Sequence, residues 1–448
     1  MPARPPQFKE GKTLLGHVGP FSKDPLNFLG KLHSQSEDSL SFRLAIVPAV
    51  YVSKPEDIKE IFRRPQIFTK GGLLVDQARK ILGNGLPMSN GTFWARQRRI
   101  LSNSFRAQML QSYIEIFDQR TNQAVNRWIE KSTSKPYDIF QDLARTTMDV
   151  SVEALFGASV SSDEQETILA SIDHSLIEIN RRLAKGDIFP LWLPTKANAK
   201  LRRAIGEFRD IILRVIEEKN RQADPDYTII NLLLATKDEE TGQYMKPEQI
   251  IDEIRSFFVA GSETSASTMA WTVYELARNP EVYQKVEEEV NEWWTKGGEM
   301  NIHGLMELPL VNAVVKEAMR LYPAVWIQTR AVSETTKLGQ YSIPKGASVF
   351  FSAYWSQRDP NIWNDPNNFY PERFLNGLTT EQEMAYFPFS TGPRKCIGYR
   401  FAKLEMVTLL VNLVRKATIS LPEGFEPGFN VQGSLIPEKG ILMHVREK

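Results

Sequence analysis

The sequence predicts a mainly α-helical fold with a small β-rich lobe, on three observations. Apolar residues recur every three to four positions through the middle of the chain, the period of a helix that buries one face. Runs rich in β-branched and aromatic residues are short and confined to the front, the stretch 326–351 and the C-terminal end. No internal repeat, low-complexity tract or long Gly/Ser linker interrupts the 448 residues. A single unit over 21–448 behind a lead segment 1–20 is therefore a simpler reading than the two or three domains that length alone would allow.

The elements follow in order. Ser41–Ser53 (SFRLAIVPAVYVS) reads as two short strands turning near Pro48. From Glu56 the period becomes helical, with clear patterns at Trp94–Phe105, Met148–Leu155, Leu201–Asn220 and Ile250–Leu276. Strand character returns at Trp326–Val332, Ser348–Phe351 and Ile441–Val445, with a turn over Tyr341–Gly346, and the two ends of the chain are expected to share one sheet. Residues 359–374 hold Pro360, Pro366 and Pro371, too many for a helix or central strand, while Trp363, Phe369, Tyr370 and Phe374 argue for an ordered loop.

Composition narrows the function classes. With 55 basic and 54 acidic residues the net charge is +1, which leaves no global field to draw nucleic acid or an anionic membrane. One cysteine excludes an intrachain disulfide. The five histidines, His17, His33, His174, His303 and His444, lack the close spacing of a two-histidine metal site. The start, MPARPP, holds no membrane-spanning apolar run, so a cytoplasmic, monomeric protein is expected; a membrane-associated one whose anchor lies outside this sequence is the alternative.

The lone thiol lies in Phe389-Ser-Thr-Gly392-Pro-Arg394-Lys-Cys396-Ile-Gly398, just before a helical pattern over Phe401–Val414. A helix start and the neighbouring Arg394 and Lys395 favour the thiolate, the form that binds metal. Gly392 and Gly398 would allow a tight turn and the close approach of a flat ligand. Taken without its spacing, such a cysteine reads as a small buried hydrophobe. Glu317 and Arg320, at i and i+3 in an apolar helical pattern, read alone as an ordinary ion pair. Ala260-Gly261-Ser-Glu263-Thr264-Ser265 interrupts the longest helical pattern and reads alone as a kink or polar patch.

Together these segments resemble the cytochrome P450 family. Phe389, Gly392, Arg394, Cys396 and Gly398 match the haem-binding loop F-x-x-G-x-R-x-C-x-G, Glu317 and Arg320 match E-x-x-R, and Pro371-Glu-Arg373-Phe374 matches P-E-R-F in the expected order. The 260–265 segment matches the oxygen-binding groove A/G-G-x-D/E-T-T/S. The resemblance implies a P450 fold with haem b (iron protoporphyrin IX) between the helix of Glu263 and the helix after the Cys396 loop. It implies that Cys396 is the axial iron ligand, and that Ala260 and Gly261 border the haem. Glu263 and Thr264 would relay protons to dioxygen. Arg394, Trp94, Arg98 and Arg330 would anchor the propionates, while Glu317, Arg320 and Arg373 would form a buried structural network. The family pattern departs at Gln357, where many members have His, and at Ser265, where a second Thr is common.

The activity so implied is a monooxygenase that uses O2 and two external electrons to hydroxylate or epoxidise an apolar small molecule. A fatty acid leads, since residues 188–197 and 238–245 look similar to bacterial fatty-acid hydroxylases; a terpenoid or polyketide follows. Pocket walls are expected from Phe257, Phe258, the Ala260 groove, residues 71–88, 325–329 and 433–436. A separate ferredoxin, flavodoxin or flavin reductase would dock on Arg96, Arg99, Lys395, Arg400 and Lys403. A peroxide-using or isomerising relative, or a non-catalytic haem sensor, is the rival reading.

Overall fold

The computed structural model describes residues 3–157, 160–185, 192–221, 228–238, 241–431 and 433–448. Its axis is the 32-residue helix Pro247–Arg278, here the central helix. Pro247 opens it in the first turn, where a missing N–H costs nothing, and Pro280 opens the next helix, Pro280–Thr295, in the same way. Every residue from Ser265 to Leu276 is buried, so this half of the helix is covered all round rather than on one face.

The covering layers are the helices Ile139–Phe156, Pro309–Leu321 and Tyr399–Lys416. The last, here the cysteine-loop helix, is itself buried from Leu404 to Val414. These elements share the largest apolar cluster, in which Phe117, Trp128, Trp271 and Leu410 are almost inaccessible. The expected interruption at Ala260–Ser265 is one of composition, because the central helix is continuous through it. The polar side chains turn back onto the helix instead of competing with it: Thr264 Oγ1 donates to Ala260 O at 2.5 Å and Ser262 Oγ to Phe258 O at 2.7 Å.

The front sheet has five strands in the order Ser39–Leu44, Val47–Val52, Ser348–Ser352, Ile327–Val332 and Phe68–Thr69. The hairpin turns at Ala45 and Ile46, with Ala45 at φ +53°, and not near Pro48. Pro48 sits inside its strand, just before pairing with Ser348–Phe350 begins at Ala49, a place where proline is tolerated. The lead residues pack on this sheet: Gln7 bridges to Ser41, and Phe8 and His17 are buried.

Two further expectations are corrected. Tyr341–Ile343 is a strand, paired with Thr336–Leu338, and only Pro344–Gly346 remains as the turn. The ends of the chain do not share a sheet, because Leu442–Glu447 pairs with Ala417–Ser420 and Tyr137–Asp138. The cysteine-loop helix ends beside that strand, and the Ser132 hydroxyl clamps both backbone groups of Val445 at 2.6 and 2.8 Å. Residues 359–374 are ordered around Trp363, which is fully buried and donates its Nε1 proton to Ser356 O at 3.1 Å. Among the described residues no helix is long and apolar enough to cross a membrane.

Candidate functional site

The Cys396 loop is held by its own backbone. The Cys396 N–H donates to Phe389 O at 2.9 Å and the Lys395 N–H to Gly392 O at 3.1 Å, while Arg98 Nη1 donates to Lys395 O at 2.7 Å. Gly392 has φ +68°, and a Cβ there would lie 2.7 Å from Phe62 O. Its glycine is therefore demanded by the expected turn and by the close approach of the helix Pro55–Arg63. Gly398 has an ordinary φ of −85° as the cap of the cysteine-loop helix.

Cys396 is exposed, yet surrounding protein desolvates its thiol, so it lies in a concave recess, here the cradle. Burial pushes the thiol up; the Gly398 N–H and the charges of Arg98 and Lys395 pull it down. Arg394, expected to help, is turned away. It donates to Ser89 O at 2.8 Å and Asn90 Oδ1 at 3.0 Å, and its guanidinium lies 4.1 Å over the Trp94 ring.

Around this cradle stand cations without acids. Arg330, on the strand Ile327–Val332, is 2% exposed, its guanidinium lies 5.6 Å from the ring centres of both Phe62 and Phe351, and among the described residues it donates to Thr329 O and Gln328 Oε1. Burial and Arg394 push its guanidinium down to about 9, and burial and Arg98 push Arg394 down to about 10. Lys70 is held well below the ordinary ammonium range by burial and by Arg330 and Arg394. No described carboxylate forms an ion pair with Arg98, Arg330, Arg394 or Lys70. Uncompensated buried charge of one sign is costly, and a ligand bearing two carboxylates, as haem does, would relieve it. A single enclosed thiol beside such a cluster fits haem. No motif pointed to Lys70, which stands just past the short strand Phe68–Thr69.

On the other side, Ala260 is exposed at the middle of the central helix, where a residue facing protein would be covered. Gly261 has a packing reason of its own, since a Cβ there would come 3.3 Å from Ser151 Oγ on the helix Ile139–Phe156. The Glu263 carboxyl accepts from the hydroxyl and backbone N–H of Ser434, and burial raises it despite these bonds. Ser434 belongs to a late loop tied to the same helix by Ser267 Oγ and Trp271 Nε1, which donate to Leu435 O at 2.6 and 3.0 Å. Phe258 is not a pocket wall: it is fully buried edge-on against Phe208, and Phe257 packs on Phe105 at 5.9 Å.

The acid–arginine network is assembled as expected. Arg320 meets Glu317 through two 2.8 Å bonds, both residues are fully buried, and Arg373 Nε reaches Glu317 Oε1 at 3.0 Å. Arg320 also donates to Gln357 O, Pro366 O and Asn368 O, which fastens the 359–374 loop. Gln357 uses its amide in full. It donates to Met319 O and Arg320 O at 3.0 Å and accepts from the Phe387 N–H at 3.1 Å.

The expected docking face is partly committed elsewhere. Arg96 and Arg99 lie 3.1 and 3.7 Å from the buried Asp238 carboxylate, and burial together with Lys316 lowers Lys403. Lys395 and Arg400 lie against the Tyr399 ring, and Arg400 is exposed. Of the two stretches likened to fatty-acid hydroxylases, 188–191 and 239–240 lie outside the described residues.

A profile of the family described as Cytochrome P450 matches residues 5–445. The cyclooctat-9-en-7-ol 5-monooxygenase of Streptomyces melanosporofaciens is 30% identical over 90% of this chain and 87% of its own. The pentalenene oxygenase of Streptomyces avermitilis is 27% identical over 91% and 90%. Among solved structures, a retinoic-acid-bound cyanobacterial protein of this fold superposes with a TM-score of 0.86 at 23% identity, covering 100% of both chains. A cytochrome P450 haem domain superposes at 0.87 and 22%, covering 100% of this chain and 98% of its own. Profile, relatives and architecture agree over almost the whole length, and the chain belongs to the cytochrome P450 family.

Proposed function

We propose that this monooxygenase oxidises an apolar small molecule of terpenoid type, with Cys396 as the iron ligand and with electrons delivered by a separate protein. The observation that carries the assignment of the site is the accessible but desolvated Cys396 thiol beside Arg98, Arg330, Arg394 and Lys70, cations with no described carboxylate partner. The terpenoid reading is supported by the names of the relatives, which act on cyclooctat-9-en-7-ol and pentalenene. A fatty acid or polyketide belongs to the same apolar set.

Haem, when bound, supplies the iron at which dioxygen is reduced by two electrons and one oxygen atom passes to the substrate, the other leaving as water. Phe389 O holds the Cys396 backbone, and the Gly398 N–H donates to its sulfur. Arg98, Arg330, Arg394 and Lys70 would hold the propionates. On the opposite side, burial raises the Glu263 carboxyl and so favours its protonated form, and Thr264, the next residue, would help carry a proton into the cradle. Ala260 presents only a methyl group, which leaves room for substrate. The donor protein would meet Arg400 and Lys395 at the start of the cysteine-loop helix, whereas Arg96 is engaged by Asp238.

The test is spectroscopic. Native protein expressed with ample haem is expected to show the red-shifted absorption band of a thiolate-ligated, reduced, carbon monoxide-bound haem, and Cys396→Ser to lose it. A native protein without that band overturns the ligand assignment. Cyclic terpene alkenes and alkenols should shift the resting haem spectrum at lower concentration than fatty acids of similar size; the reverse order would move the substrate to the fatty-acid class.

A further inference from the structure

The segment between the helix Leu73–Leu82 and the helix Gly91–Ser102 lies directly on the N-terminal half of the central helix, and its glycines show how closely. A Cβ at Gly83, where φ is +81°, would stand 2.0 Å from Asp252 Oδ1. One at Gly85 would stand 2.1 Å from Ser256 Oγ and 2.6 Å from Asp252 O. Only glycine fits at both places. Between and after them, two backbone donors are received by side chains of the central helix: Asn84 N–H by Asp252 Oδ2 at 2.9 Å and Leu86 N–H by Glu253 Oε2 at 2.8 Å.

Glu253 is an expensive choice for this task. It is fully buried, its Oε1 has no hydrogen-bond partner, and burial pushes the carboxyl up to about 8, so it carries a proton at neutral pH. Beyond this contact the chain runs on to the cradle. Four residues after Leu86, Asn90 Oδ1 accepts from Arg394 Nη2 at 3.0 Å and from the Lys70 N–H at 2.8 Å, and Ser89 O accepts from Arg394 Nη1. One short stretch thus ties the central helix to the Arg394 guanidinium and the Lys70 backbone, and it overlaps the residues 71–88 expected to wall the pocket.

Resting on the proposed haem site, we propose that Asp252 and Glu253 are positioning residues that clasp Gly83–Leu86 to the central helix, setting together a wall of the substrate pocket and the placement of Arg394. The clasp acts through backbone donors, so it requires an acceptor at Glu253 and not a charge. Glu253→Gln retains it and Glu253→Leu opens it.

The test uses the haem-loaded full chain and two readouts. In Glu253→Leu, amide hydrogen exchange over residues 83–90 is expected to rise about tenfold, the size of one lost hydrogen bond, while the helices Pro309–Leu321 and Tyr399–Lys416 keep native protection. Binding and release of phenylimidazole, followed at the haem, are expected to accelerate by a similar factor without a change in the carbon monoxide band. Glu253→Gln is expected to restore both. Gly85→Ala, which lifts the segment while leaving the carboxyl in place, serves if Glu253→Leu does not fold, and should reproduce the local exchange. Unchanged exchange over 83–90, a Gln variant that behaves as Leu, or a rise spread over the whole chain overturns the proposal. Failure of the haem assignment would instead show as a missing carbon monoxide band in the native protein, with the exchange result untouched.

Discussion

Glu263 shows how one residue's chemistry depends on a neighbour far away in sequence. Its carboxyl is raised by burial and lowered by the two Ser434 donors, because bonds to the charged form favour that form. Ser434→Ala removes the hydroxyl, so the carboxyl should titrate higher still, and the inflection it contributes to the pH profile of product formation should move up. The fraction of electrons lost to peroxide should rise by up to about tenfold at the pH where the native protein is best coupled, the size of one lost hydrogen bond. Ser434→Thr, which keeps the hydroxyl, should restore both; an unmoved profile in the alanine variant would detach Ser434 from the relay. Cys396, Glu263 and Thr264 can be proposed from the sequence because each lies in a short stretch that matches a family motif. Ser434 enters from the sequence only within the expected 433–436 wall, without its bond to Glu263, and Lys70 not at all, since a late loop and a strand end reach the site only through tertiary packing. Arg394 was legible as a residue but not as a geometry: its stacking on Trp94 depends on where Ser89 and Asn90 fall.

At the scale of elements, the helix Pro309–Leu321 and the 359–374 loop form one unit around Glu317. The carboxylate receives Arg320, Arg373 Nε and the Tyr370 N–H, and Arg320 passes the constraint to two loop carbonyls, Pro366 O and Asn368 O, and to Gln357 O just before the loop. Removing one partner leaves the others charged and buried, which costs about 3–5 kcal/mol where measured in other proteins. Glu317→Gln should therefore lower stability in urea by about that amount and release haem at a denaturant concentration where the native protein retains it. A variant with native stability and haem retention would show that the network is dispensable. The central helix and the cysteine-loop helix could be read from periodicity, since long patterns average over single exceptions such as Gly261. Strand partners could not. The sequence at Ile441–Val445 says strand, but pairing with Ala417–Ser420 rather than the front sheet is decided by where the cysteine-loop helix ends. The hairpin turn was misplaced for a related reason, because Pro48 signals a turn locally while the pairing puts it inside a strand.

For the whole molecule, buried carboxyls set how stability varies with pH. Glu405 lies between the central helix and the cysteine-loop helix, 2% exposed, with the Ser265 hydroxyl as its partner, and burial pushes it up to about 8. Glu253 is raised to about 8 in the same way. An unfolded glutamate titrates near 4.3, so between roughly pH 4.5 and 8 the native state holds protons that the unfolded chain has released. The stability these groups contribute is present in full below that window and is lost as pH rises through it, by at most about 1.4 kcal/mol per pH unit for each group. Glu164, Glu178 and Asp359 act in the opposite sense: hydrogen bonds and charges hold them below the usual carboxylate range, and their contribution is lost as pH falls through the acid range. Between pH 6 and 8 the second set is ionised in both states, so the trend there follows the buried pair. The urea midpoint of the native protein should therefore fall from pH 6 to pH 8, and Glu405→Gln, which keeps an acceptor for Ser265 and cannot ionise, should fall less over the same interval. A native midpoint that rises with pH, or a Glu405→Gln midpoint that falls as steeply, would mean that Glu405 reaches water and that the two helices beside the haem site are not sealed against each other.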